Sequence, residues 1–237
     1  MKEKISSFYK DAADAIDVGL RKYMLNVFAY MSIGLALTAL VAYFVSLSES
    51  FILVLSSPVV FWMISLVPLG ISIYLATRLS NISVERARVL FLIYAASLGV
   101  SLSLIFNVYS GVSIVSTFFV TSSMFLSMVI YGYITEKDLT GVGSFLMMCL
   151  IGLIISSIVN MFIHNSTFAF ITSAVGVVIF TGLTAYDTQV IKSYYFDSDL
   201  KEISEKKAIF GALRLYLDFI NLFLSILRFT GGRRKNF

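Results

Sequence analysis

The composition of this 237-residue chain is that of a membrane protein. Hydrophobic residues make up 58% of it and charged residues only 14%, and a soluble domain of this length could not hide so much apolar surface in one core. The net charge is +4, but the basic residues stand at the ends of apolar segments, which indicates membrane orientation and excludes a nucleic-acid partner.

Seven apolar segments follow one another along the chain. Each has about the 20 residues that a helix needs to cross a hydrocarbon core of ~30 Å, so we predict an all-α bundle of seven transmembrane helices. The predicted spans are 24–45, 51–76, 88–108, 112–133, 142–163, 168–193 and 206–228. They form one transmembrane domain, 24–228, between an N-terminal segment, 1–23, and a basic C-terminal tail, 229–237.

The positions of Lys and Arg predict the orientation of these spans. Residues 1–23 hold five of them, 78–88 three, 134–140 one and 192–207 four, whereas the three alternate turns hold none. The N-terminus is therefore predicted to be cytoplasmic, with no removable signal peptide. Four basic residues near the C-terminus favour the cytoplasm too, so the last segment either crosses against its tail charge, which we favour, or re-enters and returns.

The strongest candidates for a functional site are two acidic residues within the last two spans, Asp187 and Asp218. A charge near the bilayer centre costs at least ~2.5–3.5 kcal/mol on insertion, so an ionisable residue inside a span is a functional candidate by default. Asp187 shares a helix face with Thr184 in the sixth span. The bland interpretation of Asp187 is a pair with Lys192 or a cap near the end of the helix.

The seventh span carries a polar stripe. Arg214, Asp218, Asn221 and Ser225 fall at i, i+4, i+7 and i+11 on a helix that is otherwise apolar. Such a stripe is best satisfied inside a bundle, so we predict that the last helix is central. Arg214 and Asp218 could also neutralise each other as a purely structural i, i+4 pair.

Three segments of the chain form distinctive motifs: TAYDTQ at 184–189, LYLDFINLF at 215–223 and YGYITEKDL at 131–139. Together they resemble the transmembrane Bax inhibitor motif family, of the Bax inhibitor-1 type, in a bacterial-like short form. The resemblance covers residues 20–230. It implies a seven-helix fold with the last helix surrounded by the other six, and a pH-sensitive leak of calcium across the membrane.

The resemblance also implies roles for particular residues. In the family, two aspartates form a hydrogen-bonded, proton-sensing pair, and they correspond to Asp187 and Asp218. A family arginine at the end of the second span latches onto the first of them; Arg78 matches it by position, with Arg86 or Arg88 as alternatives.

Arg214 departs from the family pattern. Its charge lies one turn from Asp218 and is expected to retune the sensor.

The expected chemistry follows from two close carboxylates. In a poorly hydrated site they share a proton, and when both are ionised they offer oxygen ligands to Ca²⁺. Because Ca²⁺ prefers about six to eight oxygens, water and the side chains of Thr184 or Asn221 would have to assist, and affinity would be low. We expect H⁺, Ca²⁺ and the lipid bilayer as partners, and no other cofactor.

Two other functions compete with ion transport. An interaction protein would regulate membrane proteases, stress responses or cell-death partners through the segment 1–23 and the basic tail. An intramembrane aspartyl protease is disfavoured because Asp218 lacks the Gly-x-Gly-Asp context of those enzymes. We therefore expect that the chain is not an enzyme. A compact chain with one cysteine and no organelle signal is typical of a bacterial plasma (inner) membrane.

Overall fold

The computed structural model describes residues 2–232, with the side chains of residues 18–79 and 81–232. This part of the chain is helical and contains no strand. Its α-helices are α1 (Lys2–Ser46), α2 (Glu49–Leu55), α3 (Pro58–Arg78), α4 (Val84–Leu102), α5 (Ile105–Val108), α6 (Gly111–Ile134), α7 (Thr140–Ile163), α8 (Ser166–Ser193) and α9 (Lys201–Thr230), and a 3₁₀ turn covers Leu79–Asn81.

Seven stretches of the described chain are long and apolar enough to cross a membrane, which confirms the predicted fold class. They are α1 from Val18 onward, α3, α4 together with α5, α6, α7, α8 and α9. The chain is therefore an integral membrane protein. The division into an N-terminal segment, a membrane domain and a tail stays a prediction, and α1 runs through the predicted boundary at residue 23 without a break.

The prediction was wrong at the start of the second span. Residues 51–55 belong to the separate short helix α2, and α3 begins at Pro58. Proline lacks the N–H that would continue a preceding helix but fits the first helical position, so the break at residues 56–57 follows from Pro58. The third span also starts four residues earlier than predicted, at Val84, because Ser83 accepts a hydrogen bond from the Arg86 backbone N–H.

The connections alternate between two ends of the bundle. One end, here called the basic face, carries the connections 79–83, 135–139 and 194–200. The other, the opposite face, carries 47–57, 109–110, 164–165 and the end of α9. The positive-inside pattern predicts that the basic face is cytoplasmic.

The last helix crosses the bundle once, as favoured above, and does not turn back. Its end is fastened at the opposite face, where the Ser110 N–H donates to the Gly232 carbonyl (3.2 Å) and the Gly232 N–H donates to Ser113 Oγ (3.0 Å). The basic tail after Gly232 lies outside the described residues.

The helix α9 is the most deeply packed span. Two thirds (67%) of its most apolar stretch is buried within the protein, against 11% for α3 and for α7. It packs against α1, α3, α4, α6 and α8. In its middle, the Tyr216 hydroxyl hydrogen-bonds Thr38 Oγ1 of α1 (2.6 Å), which satisfies two polar groups far from water. That all six other spans surround α9 stays a prediction.

A close backbone contact fixes the height of α8. A Cβ added to Gly132 of α6 would run into the carbonyl oxygen of Ala185, a backbone atom two residues before Asp187. Only glycine allows this approach of α6 to α8, so the packing places that aspartate within the bundle.

Replacing this glycine should therefore loosen the bundle next to Asp187. We expect Gly132→Ala to lower the free energy of unfolding by about 1–3 kcal/mol, because α8 must move to make room. Gly152→Ala in α7, where nothing lies within 4 Å of the added carbon, is the matched control and should be neutral or stabilising. Thermal unfolding of the detergent-purified proteins measures both, and equal midpoints would contradict the contact.

Candidate functional site

Asp187 and Arg214 form an ion pair between α8 and α9. Arg214 Nη2 donates to Asp187 Oδ1 at 2.6 Å, and Arg214 Nε donates to Asp187 Oδ2 at 3.0 Å. Both side chains are mostly buried, with 23% and 10% of their surface exposed. A two-point bond of this kind fixes orientation as well as distance, so it sets how the last two helices face each other.

Asp218 lies beside this pair. It lines the same cavity as Asp187 and Arg214, one helical turn after Arg214 on α9. Asp218 Oδ2 is buried and has no hydrogen-bond partner among the described residues. The structure thus brings the two predicted aspartates together and gives the arginine to only one of them.

A cavity of about 660 Å³ opens onto these side chains, and we call it the aspartate cavity. Asp187, Arg214 and Asp218 form its deep end, and Asn221 and Ser225 continue the α9 stripe along its wall. Trp62 and other apolar side chains of α3 and α7 form the facing walls, so one narrow polar strip runs through an oily cleft.

Towards the basic face, polar and apolar contacts close the gap between α8 and α9. Arg214 Nη1 donates to the hydroxyl of Tyr194, the residue that follows α8 (3.1 Å). Beyond it, Ile191 of α8 is fully buried, and an added carbon on Gly211 of α9 would lie 2.9 Å from it. No space for an ion remains between two helices this close.

The partners that the structural interpretations predicted for the two aspartates are wrong. Arg214 donates to Asp187 on the neighbouring helix and not to Asp218 on its own helix. Lys192 is not the partner of Asp187 either, since its Nζ donates to the backbone carbonyl of Tyr133 (3.0 Å).

The predicted latch is not formed by Arg78 in this conformation. Arg78 is exposed at the end of α3, while Arg214 takes both oxygens of Asp187. Of the alternatives, Arg86 is exposed, and Arg88 bonds Glu205 and the Tyr30 hydroxyl. A latch by Arg78 in another conformation stays a prediction.

The supporting polar residues are placed differently from each other. Asn221 lines the cavity, and its side-chain amide nitrogen donates to the Leu217 carbonyl (2.8 Å). Thr184 is fully buried outside the cavity lining, and its hydroxyl donates to the Phe180 carbonyl (2.7 Å). Thr184 therefore does not face the cavity in this conformation.

The arrangement does not form a ready calcium site. Among the residues that the structure describes, no group of three or more His, Cys, Asp or Glu side chains lies close enough to hold a metal ion. Both oxygens of Asp187 accept hydrogen bonds from Arg214. The other carboxylate and amide oxygens that could bind a metal ion in this cavity belong to Asp218 and Asn221. Low-affinity binding of Ca²⁺ by the two aspartates stays a prediction that requires Arg214 to move away.

Sequence reasoning missed two residues of the site. Tyr194 was missed because it follows the helix and bonds Arg214 only through tertiary packing. Arg228 lines the cavity from the end of α9. Its signal was present, since it continues the stripe three residues after Ser225, but its charge was assigned to the tail.

Comparison with known proteins decides the family. The family model described as inhibitor of apoptosis-promoting Bax1 matches residues 20–235, which is nearly the whole chain. The chain belongs to the Bax inhibitor-1 family. This membership confirms the resemblance of the three motifs, two of which contain the site aspartates.

Bacterial relatives match this Bax inhibitor-1 chain over almost all of their length. The inner membrane protein YbhL of Escherichia coli K12 is 42% identical over 91% of this chain and 94% of its own. Uncharacterized proteins of Rickettsia prowazekii and Borreliella burgdorferi are 45% and 46% identical, over 92% and 91% of this chain and 92% and 94% of theirs. The relatives therefore agree with the family of this chain and with its being a membrane protein.

The pairing of Arg214 with Asp187 can be tested by a double-mutant cycle. Arg214→Gln leaves a buried carboxylate without its partner and should lower the free energy of unfolding by about 3–5 kcal/mol. Asp187→Asn added to Arg214→Gln should recover much of this loss, because no unpaired charge remains. Chemical or thermal unfolding in detergent provides the measurement.

The matched control for this cycle is a surface pair on the same helix. Lys206 bonds Glu202, whose side chain is 62% exposed, so Lys206→Gln should cost no more than about 1 kcal/mol. If Arg214→Gln cost as little as Lys206→Gln, the buried pair would not be a structural constraint.

Proposed function

We propose that this chain conducts calcium ions across a bacterial inner membrane, as a slow leak whose rate depends on pH. The observation that carries the proposal is that Asp187 and Asp218 line the same end of the aspartate cavity, next to one arginine. The location rests on similarity to the inner membrane protein YbhL.

The first step concerns the proton. Arg214 donates a hydrogen bond to each carboxylate oxygen of Asp187, whereas the buried Oδ2 of Asp218 has no hydrogen-bond partner among the described residues. Two adjacent carboxylates in a poorly hydrated site repel when both are ionised, so they bind one proton between them. The pair with its proton is the resting state of the sensor.

The second step concerns the helices. A further proton on the pair removes the charge that holds Arg214, and the bond between α8 and α9 weakens. Arg214 then leaves Asp187 and Tyr194, and the closed segment at the basic face loses a polar contact that fixes it. Opening follows acidification, because the proton and Arg214 compete for the same carboxylates.

The third step concerns the ion. A cation that reaches the deep end meets the oxygens of Asp218 and Asn221, with water completing its shell. Few protein ligands mean weak binding, and weak binding lets the ion leave again. The ion is not chemically changed in this cycle, and the proposal assigns the chain no enzymatic reaction.

Flux measurements on the full chain in liposomes test this function. Calcium entry, followed with an internal dye, should rise as the pH falls from 8 to 6. Asp218→Asn should flatten the profile because the pair no longer exchanges a proton, and Arg214→Gln should raise flux at pH 8 because the bond between α8 and α9 is gone.

Asp138→Asn is the matched control for charge removal. Asp138 lies in the exposed connection before α7, where its carboxylate accepts a hydrogen bond from the Thr140 N–H (2.9 Å). Hydrogen bonding to Thr140 lowers the pKa of Asp138, so it stays ionised from pH 6 to 8 and cannot shape the profile. Wild-type liposomes without calcium entry, or an Asp218→Asn profile identical to wild type, would defeat the proposal.

A further inference from the structure

The polar stripe of α9 continues past the aspartate cavity. Arg228 follows Ser225 by three residues, and its side chain lines both the aspartate cavity and a second cavity of about 470 Å³ at the opposite face, here called the mouth cavity. Ser157, Thr172 and Ser173 also line both spaces. The two cavities therefore adjoin at Arg228 and these three residues, and we call the two together the passage.

Arg228 brings an uncompensated positive charge to this passage. Its side chain is exposed, and among the described residues it takes part in none of the salt bridges. The other members of the mouth cavity are neutral, and they include Tyr109 of the 109–110 connection, Asn160 of α7 and Ser166 of α8. No carboxylate faces the guanidinium from any of these elements.

The net charge differs between the two ends of the passage. At the deep end the Arg214 charge cancels that of Asp187, and Asp218 contributes the remaining negative charge when it is ionised. Arg228 lies ten residues after Asp218 on α9, which is about 15 Å at the rise of an α-helix. An ion that enters from the opposite face meets the positive Arg228 before it reaches any carboxylate.

We propose that Arg228 is a fixed-charge filter that slows cations at the mouth of the passage and slows divalent cations more than monovalent ones. The inference deepens the proposed function, and its transport arm rests on it. A fixed charge that borders a cavity sets the local electrostatic potential there, and that potential depletes ions of the same sign. Because arginine stays protonated at all working pH values, the filter is independent of the aspartate pair.

A measurement of local potential tests the filter without any ion flux. Ser157→Cys, with Cys149→Ala to remove the native thiol, places a reactive group where both cavities meet. With Arg228 present, a negatively charged methanethiosulfonate should react faster relative to a positively charged one. Arg228→Gln should lower this rate ratio by about tenfold, and less at high salt.

Two variants keep this measurement specific. Arg228→Lys preserves the charge and should preserve the rate ratio. A cysteine at Ser193, exposed at the end of α8 on the basic face, should give the same ratio with or without Arg228. A ratio at Ser157→Cys that does not respond to Arg228→Gln would overturn the filter.

The transport arm uses the same variants in liposomes at low ionic strength. Since electrostatic energy is proportional to the charge of the ion, the fold increase in Ca²⁺ flux caused by Arg228→Gln should be the square of the increase in K⁺ flux. Equal increases for the two ions would point to a steric effect of the side chain and overturn the filter.

The outcomes separate the filter from the leak. If neither ion passes the wild-type protein or Arg228→Gln, while the cysteine ratio shifts as expected, the filter stands and the proposed calcium leak fails. If calcium passes with the expected pH profile while the ratio does not shift, the leak stands and the filter fails.

Discussion

A charge inside a bilayer has to find its counter-charge within the protein, and here Arg214 and Asp187 find each other across two helices. The pair needs α8 and α9 at one distance and one rotation, since two nitrogens of the guanidinium must meet two carboxylate oxygens. Asp218 is thereby left beside the pair with an unsatisfied oxygen. The cavity, its polar strip and its closed end are all arranged around this one bond.

The helix α9 carries its polar residues at alternating intervals of four and three positions, from Arg214 to Arg228. This spacing keeps them on one side of the helix, while the remainder is packed against other helices. Two different tasks then lie at different depths of one strip. In the proposed function the deep residues exchange protons, whereas the outermost residue, Arg228, has a charge that does not change with pH.

Much of this arrangement could be predicted from local sequence patterns. Segment length and hydropathy predicted the seven spans, and the cost of charge in lipid selected Asp187 and Asp218 as candidates. That they lie side by side was implied only by the family resemblance, and the structure places both on one cavity. The partner of Arg214 was not predictable, because a residue four positions away and one on another helix satisfy the same chemistry. The break before Pro58 was also missed, since residues 51–55 are as apolar as the span that follows them.

The glycine contact between α6 and α8 limits how the bundle can change shape. Where two backbones touch, one helix cannot slide along or roll over the other without first separating, so Gly132 and Ala185 act as a pivot. This contact restrains α8, the helix that carries Asp187. A separation of Asp187 from Arg214 is therefore expected to come from a movement of α9, the helix that carries the arginine.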